Sequence, residues 1–122
     1  MQQARSRGLP VSIYRPGNIS GHSQTGVCND QDFLHTLVLA CSRIRAVPRI
    51  DLEADATPVD YVSRAIVALS RRPECLGGTY HLVNSKPMKL PKLVEWMQRI
   101  GMDVELVPYA LWYKQLDRKS VV

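Results

Sequence analysis

The side chains in this 122-residue chain that could do chemistry are three histidines, three cysteines and a run of alternating acids. His22 lies in a polar loop just past the end of an apolar run, His35 falls inside a helical pattern, and His81 alternates within a strand pattern. They share no metal-ligand spacing. Only His22 stands where open α/β sheets bind ligands, beyond a strand end, and it is the candidate for touching a substrate. His35 reads as a surface or satisfied residue, not a base, and His81 as a structural, hydrogen-bonded one. Cys28, Cys41 and Cys75 are far apart and form no C-x-x-C. They suit a reducing cytosol, not a disulfide framework or a zinc site. Asp51, Glu53 and Asp55 alternate along an extended segment. That spacing puts three like charges on one face, which predicts a solvated edge and no metal cluster. Two phosphate-binding signatures, G-x-G-x-x-G and G-x-x-x-x-G-K-[ST], are missing. Gly17-x-x-x-Gly21 and Gly77-Gly78 read as turn glycines. No Tyr-x-x-x-Lys pair occurs: four residues after the tyrosines stand Asn18, Ala65, Asn84, Tyr113 and Asp117.

These residues need a scaffold, and composition bounds it. At 45% hydrophobic and 22% charged, the chain has the balance of a soluble globular protein of one domain. No apolar run approaches the ~20 residues of a membrane span. Met1 to Arg5 carries no apolar signal region, so a cytoplasmic location is expected, and Asn18-Ile19-Ser20 reads as a coincidental glycosylation pattern. The net charge is +5, from 16 Lys and Arg against 11 Asp and Glu. The basic residues are scattered and accompany no nucleic-acid-binding motif, so nucleic acid is not the expected partner.

Strand and helix patterns alternate along the chain. Residues 2–7 read as the end of a helix with Gly8 as its left-handed cap. Pro10 to Arg15 reads as a buried strand, ended by Pro16-Gly17-Asn18. Residues 20–29 read as a loop, with Asn29 or Asp30 capping a helix striped by Phe33, Leu34, Leu37, Val38, Cys41 and Ile44, which Pro48 stops. Around Thr57-Pro58-Val59-Asp60 two readings stand: Thr57 as N-cap with Pro58 in the first turn, or a short strand over 56–59 with Asp60 as cap. Val59, Val62, Ala65, Ile66 and Leu69 then stripe a helix. Thr79 to Val83 reads as a strand with Tyr80 and Leu82 on one face. Leu93, Val94, Met97 and Ile100 stripe a helix ended by Gly101, Val104 to Val107 is a strand, and Tyr109 to Leu116 is amphipathic. The pattern is α/β, with helices covering a partly parallel sheet. One domain is expected over 1–117, with a polar tail at 118–122.

Three segments in order carry a resemblance. Gly8-Leu9-Pro10-Val11-Ser12-Ile13-Tyr14-Arg15-Pro16-Gly17-Asn18-Ile19-Ser20-Gly21, then Thr57-Pro58-Val59-Asp60-Tyr61-Val62-Ser63-Arg64-Ala65-Ile66, then Thr79-Tyr80-His81-Leu82-Val83-Asn84 resemble the extended short-chain dehydrogenase/reductases. With Leu93-Val94-Glu95-Trp96-Met97 they are most similar to terminal thioester-reductase domains of nonribosomal peptide and polyketide synthases, and to carboxylic acid reductases. The resemblance implies the C-terminal part of a Rossmann-like reductase, whose glycine-rich loop and Tyr-x-x-x-Lys belong to an upstream half.

The family reaction is hydride transfer from NADPH to an acyl or peptidyl thioester on a carrier protein's phosphopantetheine arm, releasing an aldehyde or alcohol. None of the catalytic roles matches a residue here, so the chain alone is expected to be inactive. The resemblance assigns Pro16, Gly17, Asn18 and Ile19 to the loop against the nicotinamide, where a Pro-Gly turn offers close backbone approach and free peptide groups. It assigns Gly21 and His22 to the border of the substrate channel, and Phe33 and Leu37 to the acyl or pantetheine passage; packing against the sheet is the alternative for the last two. Arg43, Arg45 and Arg49 could attract an acidic carrier protein and the arm's phosphate, though a basic helix end serves the helix dipole equally well. Strand edges normally covered by the upstream half are expected to promote oligomerisation.

Overall fold

A computed structural model describes residues 2–120. Its contacts divide the chain into two compact units, each assembled from two separated stretches. The first holds the stretch up to Val27 together with Asp55–Ser85, and the second holds Cys28–Ala54 together with the stretch from Lys86 onward.

In the first unit, α1 (Gln2–Ser6) ends at Gly8, whose φ of +79° is the left-handed geometry expected of a glycine cap. Strand β1 (Ile13–Pro16) pairs in parallel with β6 (Thr79–Leu82), and the short β2 (Ile19–Ser20) pairs in parallel with β5 (Thr57–Pro58). The first strand starts later than its apolar run: the Val11 N–H bonds the Leu9 carbonyl at 2.9 Å, and the ladder begins at Ile13, whose N–H reaches the Gly78 carbonyl at 2.9 Å. It is half-buried to exposed, not fully buried. Arg5 anchors the base of both strands: its guanidinium donates to the carbonyls of Val11 and Gly78, at 3.0 and 2.8 Å, and to that of Gly77. Tyr14 and Tyr80, opposite one another in register, stack with ring centroids 5.8 Å apart. Helix α3 (Val59–Ser70) buries Val62, while Val59 lies exposed at its start. Of the two readings at 57–60 the short strand is the one seen, but Pro58 stands at the cap position and Asp60 lies in the first turn.

The second unit holds the larger core. Helix α2 (Phe33–Ile44) is capped by Asp32, whose carboxylate accepts from the Leu34 N–H at 3.0 Å. Neither expected cap, Asn29 or Asp30, holds that position; the Asn29 side chain closes a local turn by accepting from the Gln31 N–H. The helix ends before Pro48, at Arg45, a non-glycine residue with φ of +58°. Pro48 then lies inside a strand, β3 (Ala46–Arg49), which pairs in parallel with β8 (Glu105–Pro108). Strands β4 (Glu53–Ala54) and β7 (Met88–Lys89) run antiparallel. Helix α4 (Leu90–Arg99) buries Leu90, Leu93, Val94 and Met97. Ile100 caps it, largely exposed, and Gly101 follows at φ +86°. Helix α5 (Tyr109–Ser120) buries Trp112 and runs past Leu116 into the stretch read as a tail; residues 121–122 lie outside the described ones. Cys41, Val47, Leu90 and Trp112 centre this core.

Candidate functional site

Open α/β sheets bind ligands beyond the carboxyl ends of their strands. In the first unit those ends are Pro16 and Leu82, and the segments that follow them are Gly17–Ile19 and Val83–Ser85. The Gly17 N–H donates to the Leu82 carbonyl at 3.2 Å, and the Asn18 carbonyl accepts from the Thr57 N–H at 2.9 Å. The expected free peptide groups are therefore corrected: at these two positions the backbone is tied into the parallel pairing. Pro16, Asn18 and Ile19 face outward as exposed residues, so the loop offers an apolar wall with one amide side chain. That is chemistry suited to a nicotinamide ring and its carboxamide.

Gly17 is needed for close approach, but to a side chain. A Cβ built on it would fall 1.7 Å from Oδ2 of Asp55 and 3.2 Å from Cγ1 of Val83. Asp55 is no solvated edge. Its Oδ1 accepts from the Thr57 hydroxyl and from the Asn84 N–H, both at 3.0 Å. Asn84 in turn donates through Nδ2 to the Ala56 carbonyl at 3.2 Å. Thr57, only 2% exposed, is the buried polar residue of this unit, and it is satisfied through these bonds. The three alternating acids thus part company: Asp51 is exposed, Glu53 reaches Lys89 at 3.8 Å within the other unit, and Asp55 organises this site. Beside it opens a cavity of about 300 Å³ lined by Thr57, Pro58, Tyr61, Val83, Asn84 and Ser85.

His22 and Gly21 begin the next loop. The His22 N–H and carbonyl close on Val27 and Gly26 at 2.9 Å each. Its Nδ1 accepts from the Gln24 and Thr25 amides at 3.2 and 3.4 Å. An accepting Nδ1 leaves a ring proton on Nε2, the nitrogen that remains as a donor. Next to it, Asp60 accepts from both the N–H and the hydroxyl of Ser23 at 2.9 Å, and pairs with Arg64 at 2.8 Å. The Ser23 backbone N–H, opposed by desolvation and helped by the Ser23 hydroxyl and the nearby His22, holds this carboxyl below its ordinary value.

Phe33 and Leu37 belong to the second unit. Phe33 is 67% exposed at the start of α2, whereas Leu37 is half-buried against the core. Their neighbour His35 is half-buried, with Nδ1 3.3 Å from the Cys28 sulfur, the satisfied one of its two expected readings. His81 is exposed on β6. Of the arginines, Arg45 pairs with Asp103 at 3.5 Å with both side chains in solvent.

Sequence reasoning missed Asp55, Asn84 and Ser85 as site residues. The signals were present: an Asp-x-Thr pair able to bond locally, and an Asn just past a strand end.

Comparisons with known proteins bear on the family and the fold. The model of the family described as male sterility protein matches residues 1–66, more than half of the chain. The terminal R domain from the myxalamid PKS-NRPS biosynthetic pathway is 42% identical, with a TM-score of 0.92, over 98% of this chain and 31% of that domain. The non-canonical nonribosomal peptide synthetase FrzA of Cladobotryum sp is 36% identical over 83% of this chain and 12% of its own length. The aldehyde reductase lnbA of Aspergillus flavus is 34% identical over 95% of this chain and, again, 12% of its own length. The chain therefore spans a small part of the curated relatives it matches. Among the described residues no helix is long and apolar enough to cross a membrane. The chain belongs to the male sterility protein family and has the mixed α/β fold of extended short-chain reductases, similar to the reductase domains of peptide and polyketide synthases.

Proposed function

We propose that these residues form the substrate-side portion of an NADPH-dependent reductase that releases an acyl or peptidyl thioester from a carrier protein as an aldehyde or alcohol. The observation that carries the reading is the 42% identity to a terminal reductase domain over 98% of the chain. A thiolation-reductase di-domain from an archaeal nonribosomal peptide synthetase, 26% identical over 98% of this chain, supports a carrier protein as partner. When bound, NADPH supplies the hydride. The chain's own residues bind and orient. Pro16 and Ile19 form an apolar wall for the nicotinamide, Asn18 reaches its carboxamide, and Gly17 lets the loop close down on Asp55. Gly21 and the Nε2 donor of His22 border the thioester. Taken by itself, the second unit offers the Phe33 ring and the exposed part of Leu37 to an acyl or pantetheine chain, and Arg43, Arg45 and Arg49 to a phosphate and an acidic carrier.

Proton transfer and binding of the dinucleotide phosphates fall to an upstream Rossmann half, so these residues alone do not turn over. The setting is cytosolic, with the three cysteines as thiols. The test is NADPH consumption and trapped aldehyde with an acyl-loaded carrier protein. The complete polypeptide carrying these residues should produce aldehyde and the 122-residue chain none. Aldehyde from the chain alone overturns the proposed division of labour. Turnover of a nucleotide sugar instead of the thioester overturns the substrate assignment.

A further inference from the structure

Three segments of the first unit converge on one carboxylate, that of Asp55, which has so far been given no role toward the cofactor. We infer that Asp55 is a positioning residue: it fixes the Pro16–Ile19 loop, and with it the wall that meets the nicotinamide end of the dinucleotide. The inference rests on the proposed reading of that loop and deepens it.

The geometry carries the inference. Oδ2 of Asp55 fills the space over Gly17 where any other residue would place its Cβ, so the loop's closest approach is set by this side chain. Oδ1 takes the Thr57 hydroxyl on one side and the Asn84 N–H on the other. The Thr57 N–H then reaches back to the Asn18 carbonyl, and the Gly17 N–H reaches the Leu82 carbonyl. The chain of bonds runs from the loop through β5 to the segment after β6 and returns to the loop. Asp55 makes no ion pair among the described residues, so its contribution is shape and acceptance of hydrogen bonds, not neutralisation of a cation. Two pairs of strands that share no ladder are thereby locked at the end where ligands bind. Without the carboxylate, the space over Gly17 opens and Thr57 loses the acceptor that satisfies its buried hydroxyl. A loop freed in this way no longer holds the ring in one place, and small misplacements at a reacting centre are costly.

The test compares Asp55→Ala and Asp55→Asn in the complete polypeptide, measuring dissociation constants for NADPH and for 2′-phospho-ADP-ribose, which lacks the nicotinamide. Asparagine keeps an acceptor oxygen and nearly the same volume. The expected result is an NADPH affinity roughly tenfold weaker in Asp55→Ala, with the fragment unchanged and Asp55→Asn close to the parent. Equal weakening of both ligands means a general loss of fold, and unchanged NADPH affinity means an idle carboxylate; either overturns the inference. Amide exchange at Gly17 and Asn84 gives a second readout that needs no cofactor. It should quicken in Asp55→Ala and hold in Asp55→Asn, and unaltered exchange in Asp55→Ala also overturns the inference. If the unsubstituted polypeptide binds fragment and NADPH equally while exchange responds as expected, the carboxylate positions the loop and the nicotinamide reading is what fails.

Discussion

Ser23 gives Asp60 two hydrogen bonds at once, from its backbone N–H and from its hydroxyl, each 2.9 Å long. The pair fastens the loop that carries His22 to the first turn of α3. Because the folded state holds the Asp60 carboxyl below its ordinary 3.8, the fastening is fully present above that pH. It is lost as the pH falls through the lower folded-state value, since protonation removes the acceptor. Amide exchange at Ser23 should therefore be flat with respect to this group near neutrality and rise only in acid. Asp60→Asn should speed it roughly two- to fivefold at neutral pH, the scale of an exposed charged contact. Unaltered exchange in that variant would show the loop to be held by its own turn alone.

Gly17→Ala should destabilise the fold. The new Cβ cannot share space with Asp55 Oδ2, so the carboxylate must swing away from Thr57 and Asn84. A cost of about 1–3 kcal/mol is expected from such overpacking. Adding Asp55→Ser should relieve it, so that the double variant is more stable than the two separate losses predict. Denaturant midpoints read this, and strict additivity would refute the clash.

Arg45→Gly should stabilise by about 0.5–1 kcal/mol. Arg45 occupies a left-handed cap at φ +58°, and its N–H already bonds the carbonyls of Cys41 and Ser42, which glycine would preserve. The ion pair it gives up, to Asp103, lies in solvent and contributes little. A lower melting temperature for the variant would contradict this.

The cysteines should separate by reactivity. Cys41 is 0% exposed, and burial pushes its thiol up, with the Trp112 side chain opposing. Cys28 is exposed. A maleimide should label Cys28 in the native protein and reach Cys41 only on unfolding. Native labelling of Cys41 at the rate of Cys28, read by peptide mass, would argue against the core described for the second unit.

The 122-residue chain by itself should self-associate, because the described strands form only two-membered pairs, with Leu9 and Val83 exposed near their ends. A monomer at every concentration in sedimentation would count against it.

What was legible in the sequence was what periodicity records. Leu93, Val94 and Met97 at helical spacing marked the buried face of α4, and Tyr80 with Leu82 marked one face of β6. Strand β3 was missed because Pro48 reads as a helix stop. In fact Arg45 ends the helix, through a left-handed turn that no glycine signals. The cap at Asp32 was misplaced because Asn29, Asp30 and Asp32 crowd one turn, and only geometry chooses among them. The site was legible in part. Pro16-Gly17 is visible as a turn, but that its glycine makes room for Asp55, 38 positions on, depends on strand pairing that leaves no local mark.

The alternation of the two units along the chain has a consequence for how the protein comes into being. A first stretch of one unit is followed by a first stretch of the other, then the second stretch of each, so no single cut releases either unit whole. On the ribosome, β1 must wait for β6 to emerge before it can pair, and the apolar face of α2 is made well before the α4 and α5 residues that cover it. During that interval the nascent chain presents Cys41, Ile44 and Val47 to its surroundings. Such an order of synthesis makes early folding dependent on protection from other chains.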